Sequence, residues 1–409
     1  METVEQIRNF VGMLFPNEPI GLQRILEKKS VSSSIDEMMA FVTEQSIKLK
    51  VSTNASKSLM SNYIENHKRA YYKKMIDEIN KEIGDAKPDN KYVSGITEKM
   101  PENVRDVIKE EIEKLKMVGQ SHAESESIRN YLDWMIAIPW GKYSEDNLNL
   151  AKAKKVMEED HYGLKDVKDR IIEFIATAIL RKSVAKGKIL CFVGPPGVGK
   201  TSMGRSIARA LNRSFVMLSV GGMTDQHEIK GHRRTYVSAM PGKVARLLKQ
   251  AKTANPLIMI DEIDKIGHNS YRSNVSATLL ELLDTNQNHE FMDNFMDVPL
   301  DLSKALFVCT ANDGSAIEPV LADRMEFITL SGYTHQEKRC IAERYLIPKV
   351  LSDTGILLKQ CSVTNEALDY ILRWHCREAG VRNLDRALQK IFRKVAVKLV
   401  KEGDKANDG

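Results

Sequence analysis

The sequence lacks the features of a membrane or secreted protein. Its 409 residues contain no run of about eighteen apolar residues, the length that a transmembrane helix needs. The N-terminus, Met-Glu-Thr-Val-Glu, is polar and does not resemble a signal peptide. We therefore expect no membrane partner and a cytoplasmic location.

Cysteine is scarce, with five residues in the whole chain. An odd and widely spaced set does not form a disulfide framework. Cys191 and Cys309 lie in apolar runs that predict core strands, so we expect both to be buried, reduced thiols.

A strong charge of either sign is also missing. The formal net charge of +6 is mild for a chain of 409 residues, so it permits weak nucleic-acid binding without arguing for it. The apolar fraction of 42% and the charged fraction of 28% are ordinary for a globular protein. The length predicts two or three domains.

A glycine-rich loop is the most informative feature that the chain does contain. It follows the apolar run at residues 188–193 and precedes a helix-forming stretch at residues 203–211. The loop consists of Gly194, Pro195, Pro196, Gly197, Val198, Gly199, Lys200, Thr201 and Ser202. This pattern between a strand and a helix is typical of a loop that binds the phosphates of a nucleoside triphosphate. We expect Lys200 to contact the β- and γ-phosphates of ATP and the Thr201 hydroxyl to ligate Mg²⁺.

Two further apolar runs end in polar side chains. Residues 257–260 lead into Asp261 and Glu262, and residues 305–309 lead towards Asn312. The carboxyl ends of parallel strands meet at the edge of the sheet where ligands bind. We expect Asp261 to hold Mg²⁺ through water, Glu262 to orient or deprotonate the attacking water, and Asn312 to position that water.

The pattern of apolar residues divides the chain into three parts. Residues 1–145 have a helical pattern, residues 146–332 alternate between strands and amphipathic helices, and residues 333–409 are helical again. The fold class expected is α/β, a parallel sheet flanked by helices, with an N-terminal all-helical segment and a C-terminal helical lid.

Taken together, the motifs resemble those of AAA+ ATPases, and among these the Lon ATP-dependent proteases. The similarity extends over about residues 65–400. The matching stretches are His161–Arg170, the glycine-rich loop, Glu228–Tyr236 with Met240–Gly242, Asp261–Lys265, Asp323–Glu326 with Leu330–Tyr333, and Arg377–Leu384.

The resemblance implies further residues of the nucleotide site. Arg324 would be the arginine finger that reaches the γ-phosphate in a neighbouring subunit, where its charge stabilises the transition state. Arg382 would be the sensor arginine of the lid. His161 and Tyr162 would lie near the adenine.

The resemblance also implies a substrate and an assembly. Tyr236 and Val237 would form a pore loop that holds an unfolded protein, in a homohexamer that uses ATP hydrolysis to unfold and thread its substrate. The alternative is an AAA+ motor or loader acting on nucleic acid, which the basic stretch at residues 382–401 favours. A non-hydrolysing scaffold is disfavoured because all the expected site residues are intact.

Two parts of the chain depart from the family pattern. The first sixty or so residues do not resemble the β-rich N-terminal substrate domain of Lon proteases. The serine–lysine peptidase domain of the family is expected to begin near residue 400, where only about nine residues follow the last predicted helix. We therefore expect no peptidase site in this chain.

Overall fold

The structure, a computed structural model, describes most of the chain. The described residues are 2–15, 17–27, 30–50, 68, 71, 75, 88–118, 123–181, 188–236, 238–266, 273–357 and 359–407. Backbone contacts divide the chain into two units, Met1–Pro88 and Asp89–Gly409. The domain limits expected from the sequence, 1–145, 146–332 and 333–409, differ from this division and stay a prediction.

The described part of the first unit is helical. Its helices are α1 (Glu2–Leu14), α2 (Pro19–Leu26) and α3, which includes residues 31–50. A small core joins them and consists of Val11, Ile25, Met38 and Phe41. The N-terminal segment is therefore helical where the structure describes it, as predicted.

A five-stranded parallel sheet lies at the centre of the second unit. Its strands are β1 (Ile189–Val193), β2 (Phe215–Ser219), β3 (Leu257–Asp261), β6 (Leu306–Ala311) and β7 (Met325–Thr329). They follow the order β2-β3-β6-β1-β7. The inner strands β1, β3 and β6 are nearly continuous apolar runs because both of their faces are buried. Cys191 and Cys309, on β1 and β6, are buried free thiols, as predicted.

Helices cover both faces of this sheet. Those between residues 88 and 322 are α4 (Pro88–Gly95), α5 (Glu102–Met117), α6 (Ala123–Ala137), α7 (Leu150–Asp160), α8 (Lys165–Arg181), α9 (Lys200–Leu211), α10 (His227–Lys230), α11 (Lys243–Ala251), α12 (Ser273–Leu283) and α13 (Pro319–Ala322). A short antiparallel pair, β4 (Phe291–Met292) and β5 (Pro299–Leu300), follows α12. The predicted α/β class is confirmed.

Helices α5 and α6 share a hydrophobic core with the sheet domain. Tyr131 and Trp140, at 3% and 6% exposure, belong to the same cluster as Val216 and Ile258 of the sheet. The polar atoms of both aromatic side chains are satisfied, since Tyr131 Oη donates to the carbonyl of Met296 and Trp140 Nε1 donates within its own segment. These helices are therefore fixed to the sheet domain.

The lid is a separate helical cluster at the C-terminal end of the second unit. Its helices are α14 (His335–Ile341), a π-helical turn at Ala342–Leu346, α15 (Ile347–Thr354), α16 (Asn365–Trp374) and α17 (Arg382–Asn407). Leu368, Leu384, Leu388 and Phe392 form its core. No helix in the described part of the chain is both long and apolar enough to cross a membrane.

Candidate nucleotide site

The glycine-rich loop lies at the carboxyl edge of the sheet, between β1 and α9. β1 pairs with β6 on one side and with β7 on the other, and the carboxyl ends of such strands border a ligand crevice. The first turn of α9 begins at the loop and presents backbone N–H groups that have no partner within the helix. Sequence and topology thus combine to form an anion site.

The ammonium group of Lys200 joins the loop to β6. Its Nζ donates to the carbonyl oxygens of Gly194 (2.5 Å) and Pro195 (3.1 Å) and to Oδ1 of Asn312 (2.9 Å). Burial lowers the pKa of Lys200, and the nearby carboxylate of Asp264 partly offsets this effect. Phosphate oxygens form stronger, charge-assisted hydrogen bonds than these neutral acceptors, so an arriving phosphate can replace them.

Thr310 of β6 fixes the carboxylate of Asp261, at the end of β3, and the backbone of Glu262. Its hydroxyl donates to Oδ1 of Asp261 and accepts a hydrogen bond from the backbone N–H of Glu262 at 3.2 Å. Glu262 has a left-handed backbone, with φ of 59° and ψ of 46°. Such a conformation costs on the order of 1 kcal/mol for a non-glycine residue and is characteristic of functional sites held by their surroundings.

Asp264 is a residue whose contribution the sequence analysis missed. Its Oδ2 accepts from the backbone N–H groups of Asn312 (3.0 Å) and Asp313 (3.3 Å), so it orients the turn that carries Asn312. Its Oδ1 is buried with no hydrogen-bond partner among the described residues. The signal was available, since Asp264 lies in the Asp261–Lys265 stretch, but its partner is a distant backbone that the sequence does not identify.

A cleft of about 400 Å³ separates the loop from the lid. Its lining includes Lys200, Thr201 and Ser202 of the loop and Arg382 and Asp385 of α17. The structure therefore brings the predicted sensor arginine to the glycine-rich loop, although its sequence position is nearly two hundred residues away.

The lid forms hydrogen bonds to backbone carbonyl groups of the loop. Val381 donates its N–H to the carbonyl of Gly197 at 3.0 Å, and Tyr333 Oη donates to the carbonyl of Val198 at 2.8 Å. The approach requires glycine at position 380, because a Cβ atom there would lie 2.5 Å from the carbonyl carbon of Gly197. The position of Arg382 is thus set by a tight contact between the two domains.

The buried side chain of His161 contacts α9, the helix that follows the loop. Its side chain is 7% exposed, and its Nε2 lies 2.9 Å from Oγ of Ser206 on α9. Ser206 Oγ in turn lies 2.6 Å from Oδ2 of Asp160 and donates to it. Burial lowers the pKa of His161 to about 4, so the imidazole is neutral at neutral pH. Because the Ser206 hydroxyl donates its proton to Asp160, the hydrogen bond to Ser206 is assigned with Nε2 as the donor.

Tyr162 lies at the junction with the lid. The guanidinium of Arg344 stands 5.1 Å from the centre of its ring. A hydrogen bond with Cys340 raises the pKa of Tyr162. Both contacts come from the lid, so this residue and His161 connect the lid with α9, and their place beside the adenine stays a prediction.

The residues expected to bind Mg²⁺ have suitable chemistry. Thr201 offers a hydroxyl and Asp261 a carboxylate, both hard oxygen donors. The hydrogen bond from Thr310 uses one carboxylate oxygen of Asp261. The described residues contain no group of three or more His, Cys, Asp or Glu side chains that could hold a metal ion.

Arg324 lies at the opposite edge of the sheet. Its carbonyl accepts from the N–H of Ile189, the first residue of β1, whereas the glycine-rich loop follows Val193, the last. The length of β1 separates the two edges by roughly 13 Å at 3.3 Å per residue. The guanidinium is 36% exposed and lies 3.2 Å from Oδ2 of Asp284. The structure does not bring Arg324 to the nucleotide site of its own chain.

Tyr236 occupies a loop formed by residues 231–242, which we call the Tyr236 loop; Val237 lies outside the described residues. The Tyr236 side chain is 64% exposed and is therefore not a core residue. Its neighbour Arg234 forms an ion pair with Glu111 of α5 (2.7 Å) and stands 4.5 Å from the ring centre of Tyr131 on α6. The loop therefore presents an exposed aromatic side chain, while Arg234 fixes the loop to α5 and α6.

Family models match two regions of the chain. A model of the ATPase family associated with various cellular activities (AAA) matches residues 190–333. A model of the Lon protease AAA+ ATPase lid domain matches residues 352–407. The first region contains the glycine-rich loop and the strands around it, and the second contains α17 with Arg382.

Curated relatives give the same result over nearly the whole chain. A protein named "Lon protease homolog, mitochondrial" from Saccharomyces cerevisiae is 44% identical over 406 residues, which is 98% of this chain and 36% of the relative. The relative of the same name from Homo sapiens is 47% identical over 385 residues, 93% of this chain and 40% of the relative. The chain thus spans 36% to 40% of the length of these relatives.

The relatives correct the expected cytoplasmic location, because their names describe mitochondrial proteins. The expectation was wrong because it relied on the polar sequence at the start of the chain. A chain that spans 36% to 40% of its relatives offers no basis for an inference about targeting from that end.

The motifs quoted from the sequence, the parallel sheet with its lid and the two family models all agree. The chain belongs to the Lon protease family and contains its AAA ATPase domain and its ATPase lid domain.

Proposed function

We propose that the chain hydrolyses ATP with Mg²⁺ at the carboxyl edge of its sheet and uses the reaction to unfold and thread proteins. Support for the first part comes from the meeting of Lys200, Asp261, Glu262 and Asn312 at one edge, with Arg382 across the cleft. These groups provide phosphate binding, a base for water and a positioning amide, the parts that phosphoryl transfer requires.

In this proposal each side chain has one task. Lys200 leaves the loop carbonyls and pairs with the phosphates, and Asn312, released from it, orients the attacking water. Glu262 accepts the proton of that water. Bound Mg²⁺, held by Thr201 and by water on Asp261, would neutralise charge on the phosphates.

We further propose that Arg324 acts in a neighbouring subunit of a six-membered ring. The support is geometric, because Arg324 lies at the amino edge of the sheet and cannot reach the loop of its own chain. A partly exposed guanidinium at this edge of the sheet is suited to an intermolecular contact. Hydrolysis would then depend on assembly.

The exposure of Tyr236 is the observation that carries the proposal of protein threading. An exposed tyrosine on an anchored loop offers apolar and polar contact to any side chain, as a motor without sequence preference needs. The net charge of +6 is too small to favour nucleic acid as the main substrate.

The experiment compares the ATPase rate of this chain with casein, with single-stranded DNA and with no addition. We expect stimulation by casein, and loss of that stimulation in Tyr236→Ala. The matched control is Tyr370→Ala, which removes a tyrosine that is 60% exposed on the lid and should keep the stimulation. Glu262→Gln, which binds ATP without hydrolysis, measures contaminating ATPase. Stimulation by DNA alone would instead support the nucleic-acid motor.

A further inference from the structure

Asp293 is a fully buried carboxylate that belongs neither to the nucleotide site nor to the Tyr236 loop. It follows β4 directly, and its side chain has an exposed fraction of 0%. Aspartate is almost never buried to this degree unless hydrogen bonds compensate for lost hydration. The partners of its two oxygens therefore indicate what the residue does.

The two carboxylate oxygens of Asp293 have different partners. Oδ1 accepts from the backbone N–H groups of Phe295 (2.9 Å) and Met296 (3.1 Å) and so closes the turn that contains Asp293. Oδ2 accepts from the backbone N–H of Gly242 at 2.8 Å. Gly242 is the last residue of the Tyr236 loop, so one side chain joins this turn to the end of that loop.

The first residue of the Tyr236 loop is held by the next residue of the same turn. Asn294 donates its backbone N–H to the carbonyl of Lys230 (2.7 Å) and its Nδ2 to the carbonyl of Gly231 (2.9 Å). The two ends of the loop also touch, because a Cβ on Gly231 would lie 2.7 Å from the nitrogen of Gly242. Asp293 and Asn294 therefore hold both ends of the Tyr236 loop by hydrogen bonds.

The turn at residues 293–296 is fixed to α6, and Lys230, which precedes the loop, is fixed to α12. Met296 accepts at its carbonyl a hydrogen bond of 2.8 Å from Tyr131 Oη on α6. Lys230, beside the loop, forms an ion pair of 2.5 Å with Glu281 on α12. Helix α12 ends one residue before Asp284, the partner of Arg324. The base of the loop is thus connected to the elements around the finger.

We propose that Asp293 is a positioning residue that fixes the base of the Tyr236 loop to the body of the ATPase domain, so that Tyr236 moves with that domain. The proposal rests on the proposed function in one respect, because the threading role is what gives the position of Tyr236 its consequence. The contact itself is independent of that role and is tested separately.

The test uses Asp293→Asn in the full chain. The amide oxygen still accepts from Phe295 and Met296, but the amide nitrogen is a donor and faces the N–H of Gly242, so only the bond to the loop is lost. The matched control is Asp301→Asn, because Asp301 is an exposed aspartate that accepts from the backbone N–H of Ser303 at 2.9 Å in a local turn.

Two measurements separate the contact from the function. The first is hydrogen–deuterium exchange of peptides that span the Tyr236 loop, and the second is the ratio of casein-stimulated to basal ATPase. In Asp293→Asn we expect exchange near Gly242 on the order of tenfold faster, as for loss of one buried hydrogen bond. We also expect a lower stimulation ratio, while Asp301→Asn changes neither quantity.

The outcomes are distinct. Unchanged exchange in a folded Asp293→Asn variant overturns the proposal, whatever the ATPase does. Faster exchange with full stimulation supports the contact and contradicts the threading role of Tyr236. If Asp293→Asn does not fold, Asp293→Ser is measured instead, because its shorter hydroxyl can still close the local turn but cannot also bond to Gly242. Unchanged exchange there overturns the proposal equally.

Discussion

The two edges of the parallel sheet differ in how their functional residues are held. At the carboxyl edge, side chains from the loop, β3, β6 and the lid meet within one chain, and Lys200 already contacts Asn312. At the amino edge, Arg324 has only local partners among the described residues, the carboxylate of Asp284 and the carbonyl of Val320. The side chains of the first edge meet within one chain, whereas the cation of the second edge pairs with Asp284 and does not reach the glycine-rich loop of its own chain.

This difference separates binding from catalysis. The residues at the carboxyl edge can bind nucleotide in a single chain, since each contact lies inside one fold. In the proposed function, the charge that stabilises the transition state would come from another copy, because the same strands that place Lys200 at one edge place Arg324 at the other. A ring would then provide turnover that a separate chain lacks.

The largest effect is expected from Arg324→Ala. Turnover should fall by about 10³-fold, as for other arginine fingers, while ATP affinity stays nearly intact because the residue is remote from its own loop. Steady-state hydrolysis and nucleotide titration measure the two quantities. The control is Asp284→Asn, which removes the carboxylate partner but leaves the guanidinium and should keep most of the turnover.

A mixing experiment decides whether Arg324 acts between subunits. Arg324→Ala binds ATP but lacks the finger, and Lys200→Ala has the finger but lacks the phosphate contact. Mixed rings should recover part of the activity, because a normal finger then faces a normal loop. Failure of every mixture, in chains that size-exclusion chromatography shows to be assembled, would contradict action in trans.

The strand, loop and helix at the carboxyl edge could be predicted from the sequence because their signals are contiguous. A strand, a glycine-rich loop and a helix follow each other between residues 188 and 211, so local pattern suffices. Asp264 was missed because its role depends on the backbone N–H of Asn312, a partner from another strand. Asp293 was missed for the same reason, because it accepts a hydrogen bond from Gly242, which lies beside its turn only in the folded chain.

The next largest effect concerns stability and pH at the carboxyl edge. His161 has a pKa of about 4 in the folded chain, whereas an unperturbed imidazole has a pKa of 6.5, so between these values the unfolded chain binds more protons. Its contribution is present above pH 6.5 and is lost as the pH falls towards 4. The shift corresponds to about 3 kcal/mol of unfolding free energy.

Thermal unfolding of the wild-type chain and of His161→Asn across this range checks the prediction. The variant should be less stable at neutral pH and should lose the dependence that His161 causes. The matched control is the same replacement at an exposed histidine, His289→Asn. Equal pH profiles for wild type and His161→Asn would show that His161 does not titrate in this way.

The smallest effect comes from Gly380→Ala, which tests whether the carboxyl edge depends on close docking of the lid. The added Cβ would lie 2.5 Å from the carbonyl carbon of Gly197, a backbone atom, so the lid or the loop must shift. Overpacking of this kind costs about 1–3 kcal/mol, and we expect ATP to bind about tenfold more weakly. Gly314→Ala is the control, because its Cβ would meet the side chains of Val193 and Phe327 at ordinary distances of 3.5 Å and 3.8 Å. Isothermal titration calorimetry measures both variants. Equal affinities would mean that Arg382 reaches the phosphates without this contact, and the carboxyl edge would then be built by the sheet domain alone.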